Sequence, residues 1–187
     1  MNADAAVLLD PAPHPESRRI VGTLNRFGSG AIRFAQRHAV VVIPLERSER
    51  YTQRSPALRR LGVDVDAWPA PPAGLFVVEE RAVYLRSSSP MTVAHEFGHA
   101  LDCALGKGVY RSSIDPVVRS LFANARAFVT PYAATGLDEY FAEGLRAYVE
   151  ANDSSSIWPN ATRKRLRSVD PGLADYLGDL FARGFRA

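Results

Sequence analysis

The feature that most constrains the fold is one segment, Ser89–Leu105, with the sequence SPMTVAHEFGHALDCAL. It begins with a cap residue and a proline and is followed by a glycine, which predicts a single helix over its length. Residues four apart share a face of a helix, so His95 and His99 are neighbours and Glu96 stands beside them. Two imidazoles in this arrangement can bind one metal ion. The alternative is a chance pair of structural histidines.

A catalytic zinc ion takes three protein ligands and leaves a fourth position for water, so a further donor is required. No third histidine follows closely, and Asp102 is better placed to orient a ligand than to bind the ion. Glu139 and Glu143 share one face at the start of a helix predicted over 137–151. We assign Glu139 as the third ligand and Glu143 as the acceptor for the free ring N–H of a liganding histidine. The alternative is a solvated acidic helix face.

The stretches HEFGHALD and EYFAE resemble the gluzincin metallopeptidases, in particular the group containing the anthrax lethal factor catalytic domain and the Pro-Pro endopeptidases. In that group the third ligand is the first Glu of an E-x-x-x-E pair, and a catalytic tyrosine lies seven residues before it, as Tyr132 does before Glu139. The resemblance covers about Leu75 to Val149. It implies a zincin-like fold, one catalytic zinc ion, and a Tyr132 hydroxyl that donates to the developing oxyanion. From the residues alone, Tyr132 could equally be a core tyrosine.

An intact Glu96 favours an enzyme, because this carboxylate can take a proton from water and return it to a leaving amine. We therefore expect a zinc metalloendopeptidase, and the resemblance implies that it could be of a toxin or effector type. Two alternatives stay open: an intracellular regulatory zincin that cleaves a repressor, and a non-catalytic binding module whose fold is stabilised by zinc. The candidate nucleic-acid patch of such a module is Arg163–Arg167, RKRLR. Without interleaved aromatic residues or a second basic cluster, this run is more typical of a solvated helix face.

The rest of the chain predicts an α+β fold, a single zincin-like domain with a small mixed sheet and a mainly helical C-terminal half. The β-branched run Ala39–Leu45 indicates a strand that is central or covered. Leu75–Val78 and Ala82–Arg86 indicate a hairpin that leads into the motif helix. If the second hairpin strand is the sheet edge beside the metal, it can hold an extended peptide by strand addition. The alternative is an edge strand without a ligand.

Four predicted helices begin with a cap residue followed by proline, a pattern that favours the first helical turn: Ser55-Pro56, Ser89-Pro90, Asp115-Pro116 and Asp170-Pro171. A further helix is predicted from Glu16 to Phe27, where the glycines at 28 and 30 end it. Residues 1–15 lack apolar periodicity and are rich in Ala, Asp and Pro, which predicts a flexible N-terminal tail. The remaining residues, 16–187, form the predicted domain.

The composition limits the partners that we expect. A chain of 187 residues with 47% hydrophobic content suits one domain. Its 23 basic and 20 acidic side chains leave a charge of +3, which requires neither nucleic acid nor a membrane. The lone cysteine, Cys103, excludes an intrachain disulfide. With no membrane-length apolar run and no signal-peptide pattern, we expect a monomer that is cytoplasmic as synthesised, with signal-less export open, and that binds a peptide or protein as an extended strand.

Overall fold

The computed structural model describes residues 4–153 and 161–185. These residues form an α+β fold, a three-stranded sheet packed against a mostly helical body, which confirms the predicted class. The strands are β1 Val41–Pro44, β2 Gly74–Val77 and β3 Ala82–Leu85. The helices are α1 Ser17–Leu24, α2 Gly28–Arg37, α3 Tyr51–Arg54, α4 Pro56–Leu61, α5 Pro90–Leu105, α6 Arg111–Ile114, α7 Pro116–Asn124, α8 Leu137–Tyr148, α9 Arg163–Val169 and α10 Pro171–Ala182.

The sheet is mixed, with β3 in the centre. β1 pairs with β3 in parallel, and β2 pairs with β3 antiparallel, as the first and second strands of the predicted hairpin. An edge strand lies beside the motif helix as predicted, but it is the first hairpin strand, β2, and not the second, β3; β2 packs on α5. Local sequence could not reveal this order, because β1 reaches the far side of β3 through a long connection.

The outer side of β1 is covered by the N-terminal segment. Ala5 and Leu8 lie in a 3₁₀ turn and are buried in the main core. Leu9 forms a parallel bridge with Val42, and the Asp10 amide donates to the Val42 carbonyl at 2.9 Å. Residues 5–10 thus pack on the domain, although the sequence predicts a flexible tail there. Two apolar side chains on one face of a short turn are enough to bury this segment.

The first predicted helix is divided in two. α1 is followed by a 3₁₀ turn, and α2 begins at once with Gly28, whose φ of +76° is readily adopted only by glycine. The glycines therefore end the first helical run as predicted and also begin a helix that the sequence did not predict. α2 is held by the buried side chains Ala31, Ile32, Phe34 and Ala35.

All four starts with a cap residue and proline are confirmed, at α4, α5, α7 and α10. At three of them the cap side chain accepts a backbone N–H of the first turn, whereas the Ser89 hydroxyl contacts Asp153 instead.

α5 lies against α8 at very short range, since a Cβ on Gly98 would lie 3.0 Å from the Ala142 Cα. This contact brings the motif face of α5 against the acidic face of α8. Among the described residues, none of the helices has the length and apolar content that crossing a membrane requires.

Candidate metal centre and active site

Three side chains from α5 and α8 converge on one point. The Nε2 atoms of His95 and His99 are 3.1 Å apart. Glu139 Oε2 lies 3.0 Å from the first nitrogen and 3.4 Å from the second. The structure thus brings together the three residues that the sequence predicts as ligands, on two helices that are forty residues apart in the chain.

The geometry of these three atoms fits a small divalent cation. An ion bonded tetrahedrally to ligands at about 2.1 Å separates those ligands by about 3.4 Å, close to the distances found. Glu139 Oε2 is buried without a hydrogen bond among the described residues. Burial lowers the pKa of His95, but the carboxylates of Glu139 and Glu143 outweigh it and raise the value to about 10. The site therefore favours a positive charge at the histidine pair, which a metal ion can supply.

His95 is oriented from behind by Glu143. Glu143 Oε1 lies 3.0 Å from Nδ1 of the ring, so this nitrogen carries the proton and Nε2 points to the centre. Glu143 also accepts the Thr130 hydroxyl at 2.6 Å and two N–H groups of Arg146 at 2.8 and 2.9 Å. Although burial opposes ionisation, His95 and Arg146 lower the pKa of Glu143 to about 2. The structure places Glu143 where a supporting carboxylate is predicted.

The surroundings of His99 contain no matching support. Nδ1 of this ring is buried and has no hydrogen-bond partner among the described residues. Asp102, predicted to orient a ligand, accepts instead the backbone N–H of Ser112 at 2.8 Å and the Ser112 hydroxyl at 2.5 Å. The structure thus shows the Asp102 carboxylate on Ser112 and gives it no hydrogen bond to the His99 ring among the described residues. A residue one turn from His99 can equally face the next element, and here Asp102 ties α5 to α6.

Glu96 lies between the histidine pair and the edge strand. A Cβ on Gly74 would lie 2.6 Å from the Glu96 Cγ and 2.8 Å from the Thr92 Cγ2, so only glycine lets β2 approach this closely. Burial raises the pKa of Glu96 above its ordinary value, while His95 and His99 oppose the rise. A carboxylate with a raised pKa beside a metal centre is suited to exchanging protons with water.

Tyr132 lies on the His95 side of the centre. Its hydroxyl donates to Glu139 Oε1 at 3.0 Å, and its ring centroid is 5.5 Å from that of His95. At 39% exposure the side chain faces the cleft rather than the core. The alternative of a core tyrosine is therefore not what the structure shows.

These groups open into a cleft of about 460 Å³. The edge strand forms one wall, and Trp68 and Pro72 from the proline-rich loop before it form the rim. Tyr110 also lines the cleft, with its ring centroid 5.7 Å from that of His99 and 6.5 Å from that of Phe76 on the edge strand. The candidate centre and the edge strand thus line the same cleft.

The basic run at α9 is largely engaged within the molecule. The Arg163 guanidinium stacks on the Tyr148 ring at 4.3 Å, and Arg165 Nε donates to the Val129 carbonyl at 2.9 Å. Arg167 pairs with Asp175 at 2.9 Å. Three of its four cations therefore already have partners, which disfavours the nucleic-acid patch.

Sequence reasoning missed two residues that support the centre. Arg146 is fully buried and holds Glu143 through a two-point contact, and Thr130 joins Glu143 to the loop that carries Tyr132. Arg146 lies three residues after Glu143 on the predicted helix, which is one available signal. Thr130 offers none, because the loop conformation that turns its hydroxyl toward α8 has no local sequence pattern.

Comparison with solved structures identifies a similar fold. The Pro-Pro endopeptidase PPEP-2 from Paenibacillus alvei superposes with a TM-score of 0.64 over 92% of this chain and 95% of that chain, at 18% identity. Comparisons with models of protein families and with curated proteins find no match. The structural likeness confirms the fold that the resemblance in the motifs implied.

Proposed function

We propose that this protein is a zinc-dependent endopeptidase that cleaves an extended peptide or protein substrate. The observation that carries the proposal is the convergence of His95, His99 and Glu139 within 4.8 Å at the floor of a cleft, with Glu96 beside them. Two imidazole nitrogens and one carboxylate oxygen are a common ligand set of catalytic zinc, since they leave a position open. The similar fold of a Pro-Pro endopeptidase supports the same reading.

The chain's own residues divide the chemistry among them. A zinc ion bound by His95, His99 and Glu139 would polarise the scissile carbonyl and lower the pKa of water. Glu96 accepts the proton of the attacking water and passes it to the leaving amine. The Tyr132 hydroxyl donates to the carbonyl oxygen as negative charge develops there, a contact worth about 3 kcal/mol in comparable sites. Glu143 keeps His95 in the tautomer that presents Nε2.

The substrate is proposed to lie along β2. One side of this strand pairs with β3, and the other side borders the cleft, so backbone groups on that side can pair with an extended chain. The strand proposed to pair with the substrate is therefore β2 and not β3. A monomer suffices for this arrangement, because α5, α8 and β2 all belong to one chain.

The test is a peptide-library cleavage profile of the zinc-loaded protein, with and without a chelator. Glu96→Ala should lower the cleavage rate by about 10²- to 10⁴-fold while metal content stays the same. Glu79→Ala, which removes an exposed carboxylate outside the cleft, should leave the rate unchanged. A wild-type protein that binds no zinc, or that cleaves no faster than Glu96→Ala, would contradict the proposal.

A further inference from the structure

The cleft carries one carboxylate that the proposed chemistry does not use, that of Asp138. This residue precedes Glu139 on α8, is half-buried and lines the cleft. Among the described residues its carboxylate takes part in no hydrogen bond or ion pair. A carboxylate without a partner in a substrate cleft is free to bind a group of the substrate.

The charges around the centre leave Asp138 uncompensated. If zinc is bound as proposed, its two positive charges are balanced by Glu96 and Glu139. The charge of Glu143 is balanced by Arg146, which lies beneath it at 2.8 Å. No lysine or arginine is among the described residues that line the cleft. One negative charge therefore faces the substrate without a counterion.

Asp138 and Tyr110 line the same cleft, and the Tyr110 ring centroid is 5.7 Å from that of His99. Burial and then the negative charge of Asp138 raise the pKa of the Tyr110 hydroxyl. Tyr110 offers an aromatic surface beside the carboxylate. An aliphatic stem with a cationic end can pack on such a ring while its charge pairs with the acid.

We propose that Asp138 forms a subsite for a lysine or arginine side chain of the substrate, and this inference rests on the proposed peptidase function. The carboxylate would pair with the ammonium or guanidinium group, and Tyr110 would contact the stem. Asp138 also sits in the first turn of α8, where a carboxylate favours the helix dipole. That second role would affect stability but would give no preference among substrates.

The experiment uses the zinc-loaded protein and an N-terminally acetylated random peptide library, with cleavage sites read by mass spectrometry. We expect enrichment of Lys and Arg at one position near the cleaved bond. Asp138→Asn should reduce that enrichment about fivefold, as for a partly exposed charge pair. Asp138→Lys should shift it toward Asp and Glu, and Asp179→Asn, on the far surface of α10, should change nothing. Enrichment that persists unchanged in Asp138→Asn would overturn the proposal.

Two further experiments distinguish a side-chain subsite from an α-ammonium subsite and from a failure of the peptidase function. The same library with free N-termini tests whether an α-ammonium group occupies the subsite, and a preference for those peptides that exceeds the side-chain preference would overturn the proposal. Binding of the acetylated library to zinc-loaded Glu96→Gln reads the subsite without cleavage. Basic peptides that bind there through Asp138 support the subsite even if no cleavage is found, in which case only the peptidase function fails. Binding without any basic preference overturns the subsite.

Discussion

His95 and His99 stand one turn apart on α5, yet their surroundings differ. The ring of His95 is held by Glu143, which in turn is held by Thr130 and Arg146. The ring of His99 has a buried Nδ1 without a partner among the described residues and is restrained by packing beside Tyr110. Hydrogen bonds thus orient one of the two candidate ligands, His95, and not the other. We therefore expect substitutions on the two sides to have unequal effects on metal binding.

The largest expected effect is on stability and comes from substituting Arg146, whose guanidinium binds Glu143 behind His95. Arg146→Met leaves Glu143 buried without its counterion and should lower the free energy of unfolding by about 3–5 kcal/mol. Adding Glu143→Leu removes the stranded charge and should restore most of that stability, but not the affinity for zinc. Urea unfolding and competition with a chromogenic chelator measure the two quantities. A double variant that binds zinc like the wild type would show that the network only stabilises the fold.

The two tyrosines that flank the histidines give the next largest contrast. Tyr132→Phe should reduce the cleavage rate about 100-fold, because the proposed mechanism assigns its hydroxyl to the oxyanion, with zinc affinity nearly unchanged. Tyr110→Phe on the His99 side should leave the rate within about twofold, since its role is apolar contact. Steady-state kinetics on one cleaved peptide decides this. Equal losses of rate in the two variants would remove the distinction between the sides.

A third contrast compares how Glu143, on the His95 side, and Asp102, on the His99 side, affect the affinity for zinc. Glu143→Gln should weaken zinc binding by about 10- to 100-fold, because the amide holds the His95 ring less well. Asp102→Asn should change the affinity by less than about twofold, since its carboxylate binds Ser112 rather than His99. Both affinities are read by the same chelator competition. A large loss in Asp102→Asn would mean that it reaches His99 after all.

The sequence predicted the parts of the site that depend on local signals. The bounds of α5 follow from a cap residue, a proline and a glycine, and the shared faces of α5 and α8 follow from helical periodicity. Local signals could not predict two other features. The edge strand is β2 rather than β3, and Asp102 binds Ser112. Strand order and the choice between two neighbours depend on contacts between distant segments, which the local pattern does not record.

The burial of the N-terminal segment also could not be predicted from local sequence. Its composition is typical of a loose tail, yet Ala5 and Leu8 are buried and Leu9 pairs with Val42. The run at 39–45 correctly indicated a strand, which is β1, but nothing in it identified the residues that cover its outer edge. Burial of a short segment depends on a partner surface elsewhere in the chain.

The smallest effect concerns the pH dependence of stability on the His99 side. Burial raises the pKa of Asp102 to about 6, although the two hydrogen bonds from Ser112 oppose the rise. A raised folded-state pKa stabilises the fold below the unfolded value of about 4, and this contribution is lost as the pH rises through about 6. The difference in unfolding free energy between Asp102→Asn and the wild type should therefore grow with pH between about 4 and 6, by at most about 1.4 kcal/mol per pH unit, and level off above about 7. Urea unfolding of the metal-free proteins over this range measures it. A difference that is flat across the window would show that Asp102 is already ionised at pH 4 and that Ser112 outweighs its burial.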